Sequence, residues 1–155
     1  MNVVAHYPFL TSERARELRV RAGSLEDVLS EADVLSLHVP LTESTQNMID
    51  ADALASMKHG AFLVNVARGG VVDEAALADA LASGQLAGAA LDVFANEPLE
   101  DDSSLRDAPN LVLTPHLGAS TSEAQELVAT EICDAVRAAL ADQDLSRALN
   151  APAIG

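Results

Sequence analysis

Four stretches of this sequence end an apolar run and then deliver groups that can bind ions or move protons. His38-Val39-Pro40 follows residues 33–37, and Ala67-Arg68-Gly69-Gly70 follows 61–66. Asp92 and then Glu97-Pro98 follow 87–91, and Pro115-His116-Leu117-Gly118 follows 110–114. A histidine ring titrates near neutral pH, so it can take or return the proton of a hydroxyl. A carboxylate beside it stabilises the imidazolium. A guanidinium is permanently charged and forked, which suits it to clamping a carboxylate and a carbonyl oxygen. Arg68, Glu97 and His116 therefore offer anchoring and proton transfer for an alcohol–carbonyl interconversion. They offer no hydride, which a nicotinamide cofactor would have to supply.

Each group also has a plain structural reading. His38 reads equally as a polar strand end before a proline turn, Arg68 as a surface arginine, and Asp92 as a turn cap. Glu97 could be a loop carboxylate and His116 a hydrogen-bonded structural histidine. What favours chemistry is that all four stretches fall at strand ends, and that Gly69-Gly70 would let the backbone approach a ligand closely. Metal binding is disfavoured because no two ligands show the short helical spacing of a zinc site. A serine nucleophile is disfavoured because no G-x-S-x-G elbow is present.

The elements that must position these groups alternate along the chain. Apolar, β-branched segments at 2–7, 33–39, 61–67, 87–94 and 110–115 predict strands. Between them, 11–19, 24–32, 50–57 and 73–84 predict helices, and a long helix is expected from Ser120 to about Ala141. Ser24 with Asp27, and Ser120 with Glu123, have capping-box spacing. Val128, Ile132, Val136 and Leu140, each four apart, form an apolar stripe on the last helix. This order predicts an α/β fold, a Rossmann-like parallel sheet with helices on both faces. In such a sheet ligands lie beyond the carboxyl ends of the strands, where the four stretches would gather. The strand interiors are almost wholly apolar, with Ser36 and Asn65 the main exceptions.

Composition narrows the partners. The 155 residues suffice for one domain or a large part of one. Aromatics are 3% of the chain, too few for a base-stacking platform. With 9 Lys and Arg against 24 Asp and Glu, the net charge of −15 repels phosphate backbones and anionic lipid, so neither nucleic acid nor a membrane is expected as a partner. Cys133 is the only cysteine, is expected as a small buried hydrophobe, and excludes an internal disulfide. No apolar run reaches the roughly 20 residues of a membrane span, and the first residues lack a signal-peptide pattern, so the expected setting is cytoplasmic.

At these residues the chain resembles the D-isomer-specific 2-hydroxyacid dehydrogenases, and within them the branch that oxidises 3-phosphoglycerate in serine biosynthesis. The matching segments are "ADVLSLHVPLTEST", "MKHGAFLVNVARGGVVDEAALADAL", "GAALDVFANEPL", "NLVLTPHLGASTSEAQ" and "ALNAPAI". The resemblance implies an NAD-dependent oxidoreductase acting on a small 2-hydroxy acid or its 2-keto partner. It implies that Arg68 binds the substrate carboxylate, that Glu97 pairs with the histidine, and that His116 is the acid/base. Cofactor contacts are implied at His38, Val39, Pro40, Val66, Ala67, Arg68, Asp92, His116, Leu117, Gly118 and Ala119. Residues 1–143 would be a partial NAD-binding domain, and 144–155 a tail returning to a substrate domain.

The sequence departs from the family pattern in two places. The opening strand, its helix and the Gly-rich phosphate loop are missing, for the eight glycines contain no G-x-G. Tyr7 stands where the family has an acidic residue holding the ribose hydroxyls. The expectation is therefore weak NAD binding and negligible turnover by the isolated chain. An inactive truncated fragment and a non-catalytic dinucleotide-fold binding module remain alternatives. The gap left by the missing strand should be closed by strand 2–7 against strand 33–38, or covered in a homodimer or by a missing domain.

Overall fold

The computed structural model describes residues 1–118, 120–141 and 144–148. It forms two units, Met1–Pro115 and His116–Gly155. The first contains β1 (Val4–Ala5), α1 (Ser12–Leu18), β2 (Arg21–Ala22), α2 (Leu25–Glu31), β3 (Val34–Leu37) and α3 (Ala51–Ser56). It continues through β4 (Ala61–Asn65), α4 (Glu74–Ala82), β5 (Leu86–Leu91), a 3-10 turn at Ser104–Arg106 and β6 (Leu111–Leu113). Strands β3 to β6 form one parallel sheet in chain order, and β1 with β2 forms a separate parallel pair. The expected α/β class, a Rossmann-like parallel arrangement with crossover helices, is what forms.

Alternation decides which side of the sheet is dry. Along β3, Leu35 and Leu37 point inward while Val34 and Ser36 stay exposed; along β4, Ala61, Leu63 and Asn65 are buried and Phe62 is exposed. The inward residues join Leu54 and Met57 of the α3 region, Leu77, Ala78 and Leu81 of α4, and Leu105 in one core cluster. Each fully buried leucine there contributes about 1.5–3 kcal/mol of transfer free energy. The short helices are fixed at their ends as the sequence suggested. Ser24 and Asp27 make both bonds of the capping box, at 2.9 and 3.1 Å. Asp73 caps α4 through the Ala76 N–H, and Gly84 beyond its end adopts φ +78°.

Two expectations about the first sheet region are corrected. β2 was not anticipated, because its two residues are exposed and carry no apolar pattern. Strand β1 does not close against β3. The short α1 seats Ala15 in the interior, and the chain then returns with the Arg21 N–H bonded to the Val3 carbonyl, which places β2 beside β1. β3 is paired to β4 alone among the described residues.

The second unit contains α5 (Ser122–Ala141). Its first turn is capped by Thr121, whose hydroxyl accepts from the Ala124 N–H at 3.2 Å. The expected cap, Ser120, instead directs its hydroxyl to the His116 carbonyl at 3.4 Å. Only Ser120 has a capping-box partner in the sequence, yet the adjacent Thr121 hydroxyl takes the cap, one residue later than expected. No described residue of α5 is buried, so Val128, Ile132, Val136 and Leu140 lie exposed, as does Cys133, contrary to the buried position expected for it. Periodicity reports which residues share a face, not what covers that face. Among the described residues no helix is long and apolar enough to cross a membrane. Ala119 and the tail from Leu149 onward lie outside the described residues, so the cofactor contact expected at Ala119 does too.

Candidate active site

The carboxyl ends of β4 and β5 build most of the site. Asn65, the last residue of β4, is 2% exposed, and both ends of its amide are engaged. Its Nδ2 donates to the Arg68 carbonyl at 3.0 Å, and its Oδ1 accepts from the Ala67 N–H at 3.1 Å. The side chain thus ends the strand by turning the next three residues away from the sheet. Arg68 rides on that turn, exposed, with Nη1 bonded to the Ala67 carbonyl at 2.6 Å. Val66 is exposed and Ala67 half-buried beside it.

The Asp92–Glu97 segment rests on this turn. A Cβ placed on Gly69 would stand 1.7 Å from the Phe94 carbonyl oxygen, so only glycine permits the two backbones to lie this close. The glycine pair was expected to admit a ligand; its first member admits a neighbouring loop instead. Gly70, with φ +77°, makes the turn that follows. Past the buried Val93 and Phe94, the Glu97 carboxylate folds back to accept from the Phe94 N–H at 3.1 Å. Glu74, in the first turn of α4, accepts from the Ala95 N–H at 2.6 Å. The structure therefore stacks the backbone carrying Arg68 against the backbone that holds Glu97.

Asp92 is only 5% exposed, and the Thr114 hydroxyl donates to its Oδ1 at 2.5 Å. The Thr114 N–H bonds the Leu91 carbonyl, so the same residue ties the ends of β5 and β6 together. At the end of β3, His38 is exposed with Nε2 2.9 Å from the Ser36 hydroxyl, Val39 packs on the core, and the Pro40 carbonyl accepts from Thr45. Tyr7 lies exposed past β1, edge-on to Phe9 with ring centres 5.6 Å apart. In the second unit His116 is exposed and has φ 55°, a left-handed conformation rare for a residue with a side chain. Leu117 and Gly118 follow it, exposed, with the Leu117 carbonyl accepting from the Ser120 N–H at 2.9 Å.

Within the first unit, the strand ends carry groups of the kinds that the nicotinamide half of a dinucleotide calls for. A buried carboxylate at a strand end, held by a neighbouring hydroxyl, is an acceptor suited to a carboxamide, and Val66 and Ala67 before the Arg68 turn are apolar. For the diphosphate the 155 residues hold no G-x-G turn, and Tyr7 carries a single hydroxyl without charge. A cavity of about 430 Å³ lies elsewhere, over the strand middles at Phe62, Val64, Gly88, Ala90 and Val112, and includes none of the residues above. No group of three or more metal-ligating side chains gathers among the described residues.

Sequence reading singled out Arg68, Asp92 and Glu97 as candidates but missed what holds their segments in place. Asn65 left a signal, a polar residue in an apolar strand. Glu74 looked like ordinary acidic helix-start chemistry, and Thr114 like one more β-branched strand residue.

The chain is similar to known proteins of one family. Residues 1–118 match the family model "D-isomer specific 2-hydroxyacid dehydrogenase, NAD binding domain". D-3-phosphoglycerate dehydrogenase of Mycobacterium tuberculosis is 49% identical over 148 residues, which are 96% of this chain and 28% of that enzyme. A glyoxylate reductase from Paecilomyes thermophila superposes with a TM-score of 0.80 at 35% identity, covering 93% of this chain and 43% of that one. NAD-dependent formate dehydrogenase from Staphylococcus aureus, solved in complex with NAD, gives a TM-score of 0.77 at 31% identity over 92% of this chain and 42% of its own. The chain thus spans under a third of the curated relative it matches. It belongs to the D-isomer specific 2-hydroxyacid dehydrogenases and carries the sequence of their NAD-binding domain.

Proposed function

We propose that this chain supplies the nicotinamide side of an NAD-dependent D-2-hydroxy acid dehydrogenase, with 3-phosphoglycerate as the hydroxy acid. The observation that carries the reading is the Gly69–Phe94 contact, which seats the Arg68 turn on the segment holding Glu97. A clamp for a carboxylate and a carboxylate for an imidazolium then share one rim. Arg68 would bind the substrate carboxylate through its fork, Glu97 would steady a protonated imidazole, and His116 would accept the hydroxyl proton. Bound NAD would supply the hydride acceptor for the hydrogen on the carbon bearing that hydroxyl, which becomes the carbonyl carbon of the 2-keto acid. Asp92, Val39, Val66 and Ala67 would hold and orient it, joined by His38, Pro40, Leu117, Gly118 and Ala119, with Tyr7 toward the ribose.

The diphosphate cradle and substrate walls belong, on this reading, to the parts of the relatives that this chain does not span. Residues 1–143 act as the partial cofactor domain and 144–155 as the return toward a substrate domain. We place the protein in the cytoplasm, as a homodimer or joined to that missing part, and expect the isolated chain to turn over negligibly. Supplying the amino-terminal half of a relative in trans and following NADH formation from 3-phosphoglycerate tests this. Activity that disappears with Arg68→Ala or His116→Ala supports the reading. Complementation without NADH formation, or turnover indifferent to both substitutions, would sink it.

A further inference from the structure

We propose that Asn65 is a positioning residue for Arg68. Its buried amide brackets the Arg68 turn from both sides and fixes where the guanidinium is presented. The inference rests on the carboxylate-clamp reading of Arg68.

Three observations lead here. The side chain is 2% exposed, yet it sits in a strand whose other inward residues, Ala61 and Leu63, are apolar. An isolated amide in that position loses its bonds to water, and it keeps its place only by bonding protein groups. Those groups are the Ala67 N–H and the Arg68 carbonyl, the first ahead of the Ala67 Cα and the second just after the Arg68 Cα, so the two residues of the turn are held at both ends. Fixing both limits rotation about the bonds that aim the side chain. Finally, the bracketed turn continues into Gly69, which lies against the Phe94 carbonyl, and the Phe94 N–H is the donor to Glu97. A shift of the turn is therefore passed on to the segment holding the carboxylate. Hydrophobic substitution at Asn65 should preserve the core and loosen only this turn.

The test uses the full chain with Asn65→Leu, which fills the space without the bonds. Asn65→Asp, which keeps the acceptor and loses the donor, is the second variant should the first not fold. Amide hydrogen exchange and binding of oxamate, a small 2-keto acid mimic, are read by NMR. In Asn65→Leu the Ala67 amide should exchange about tenfold faster, as expected for one lost hydrogen bond, while Leu63 and Leu91 keep their rates. In Asn65→Asp the Ala67 amide stays protected. Oxamate binding should weaken in both, and the Asn65→Leu/Arg68→Ala double variant should bind no worse than Arg68→Ala alone. Unchanged exchange at Ala67, loosening of the whole sheet, or additive losses in the double variant would each overturn the assignment. Oxamate binding that is absent, or indifferent to Arg68→Ala, counts against the carboxylate reading; the exchange comparison then decides alone whether Asn65 fixes the turn.

Discussion

The four-stranded sheet and the β1–β2 pair are both parallel, both come from alternating strand and helix segments, and differ in what lies on their faces. In the first, Leu35, Leu37, Leu63, Ala89 and Leu91 are buried against α3 and α4. In the second, β1 is half-buried, β2 is exposed, and Ala15 is the one buried residue of the intervening helix. Strand pairing alone does not distinguish them. A parallel ladder is secured by the layer packed on it, and the pair near the amino end has little of that layer.

The largest expected effect separates the two regions directly. Leu63→Ala, at a fully buried position of β4, should lower unfolding free energy by about 3 kcal/mol in urea titration followed by circular dichroism. Val4→Ala in β1 should cost below about 1 kcal/mol. Equal losses would abolish the distinction. Helix caps sharpen it at smaller scale. Asp73→Ala, removing the α4 cap, should cost about 1 kcal/mol of global stability. Thr11→Ala, removing the α1 cap, should leave the global midpoint in place and speed exchange at the Arg14 amide.

The smallest effect depends on pH. The Glu26 carboxyl is held below the ordinary carboxylate range by a backbone hydrogen bond at Glu26 and by the Ser24 hydroxyl. A group with a lowered folded pKa adds stability above its ordinary value and loses it as pH falls through the lowered one. Glu26→Gln should therefore bring a slight loss at neutral pH that shrinks as the pH is taken down through the lowered value, read from urea midpoints along an acid series. A loss that persists in acid would point to packing instead of charge.

Legibility in the sequence followed the same division. Helix α4 was readable because an acidic cap, an apolar stripe and a terminal glycine agree, and the Ser24–Asp27 box formed with both bonds. Strand β4 was placed correctly at its start, but its apolar run continues through Val66 and Ala67. Only the Asn65 side chain, by bonding past itself, says where the sheet ends. β2 was invisible because exposed Arg21 and Ala22 carry no pattern. The surface position of Cys133 was invisible because spacing on α5 cannot name a neighbour. At the site, residue types pointed to Arg68 and Glu97, whereas the close contact at Gly69 exists only between distant parts of the chain.

The order of the main sheet also bears on how the molecule is assembled. Each strand from β3 to β6 lies beside the one that follows it along the chain. Each pairing then closes only the crossover between neighbouring strands, not the whole chain, which limits its loop-closure entropy. On a ribosome, β3 and β4 could already be docked while β6 is still being made, with the Arg68 turn set before the Glu97 segment arrives to rest on it.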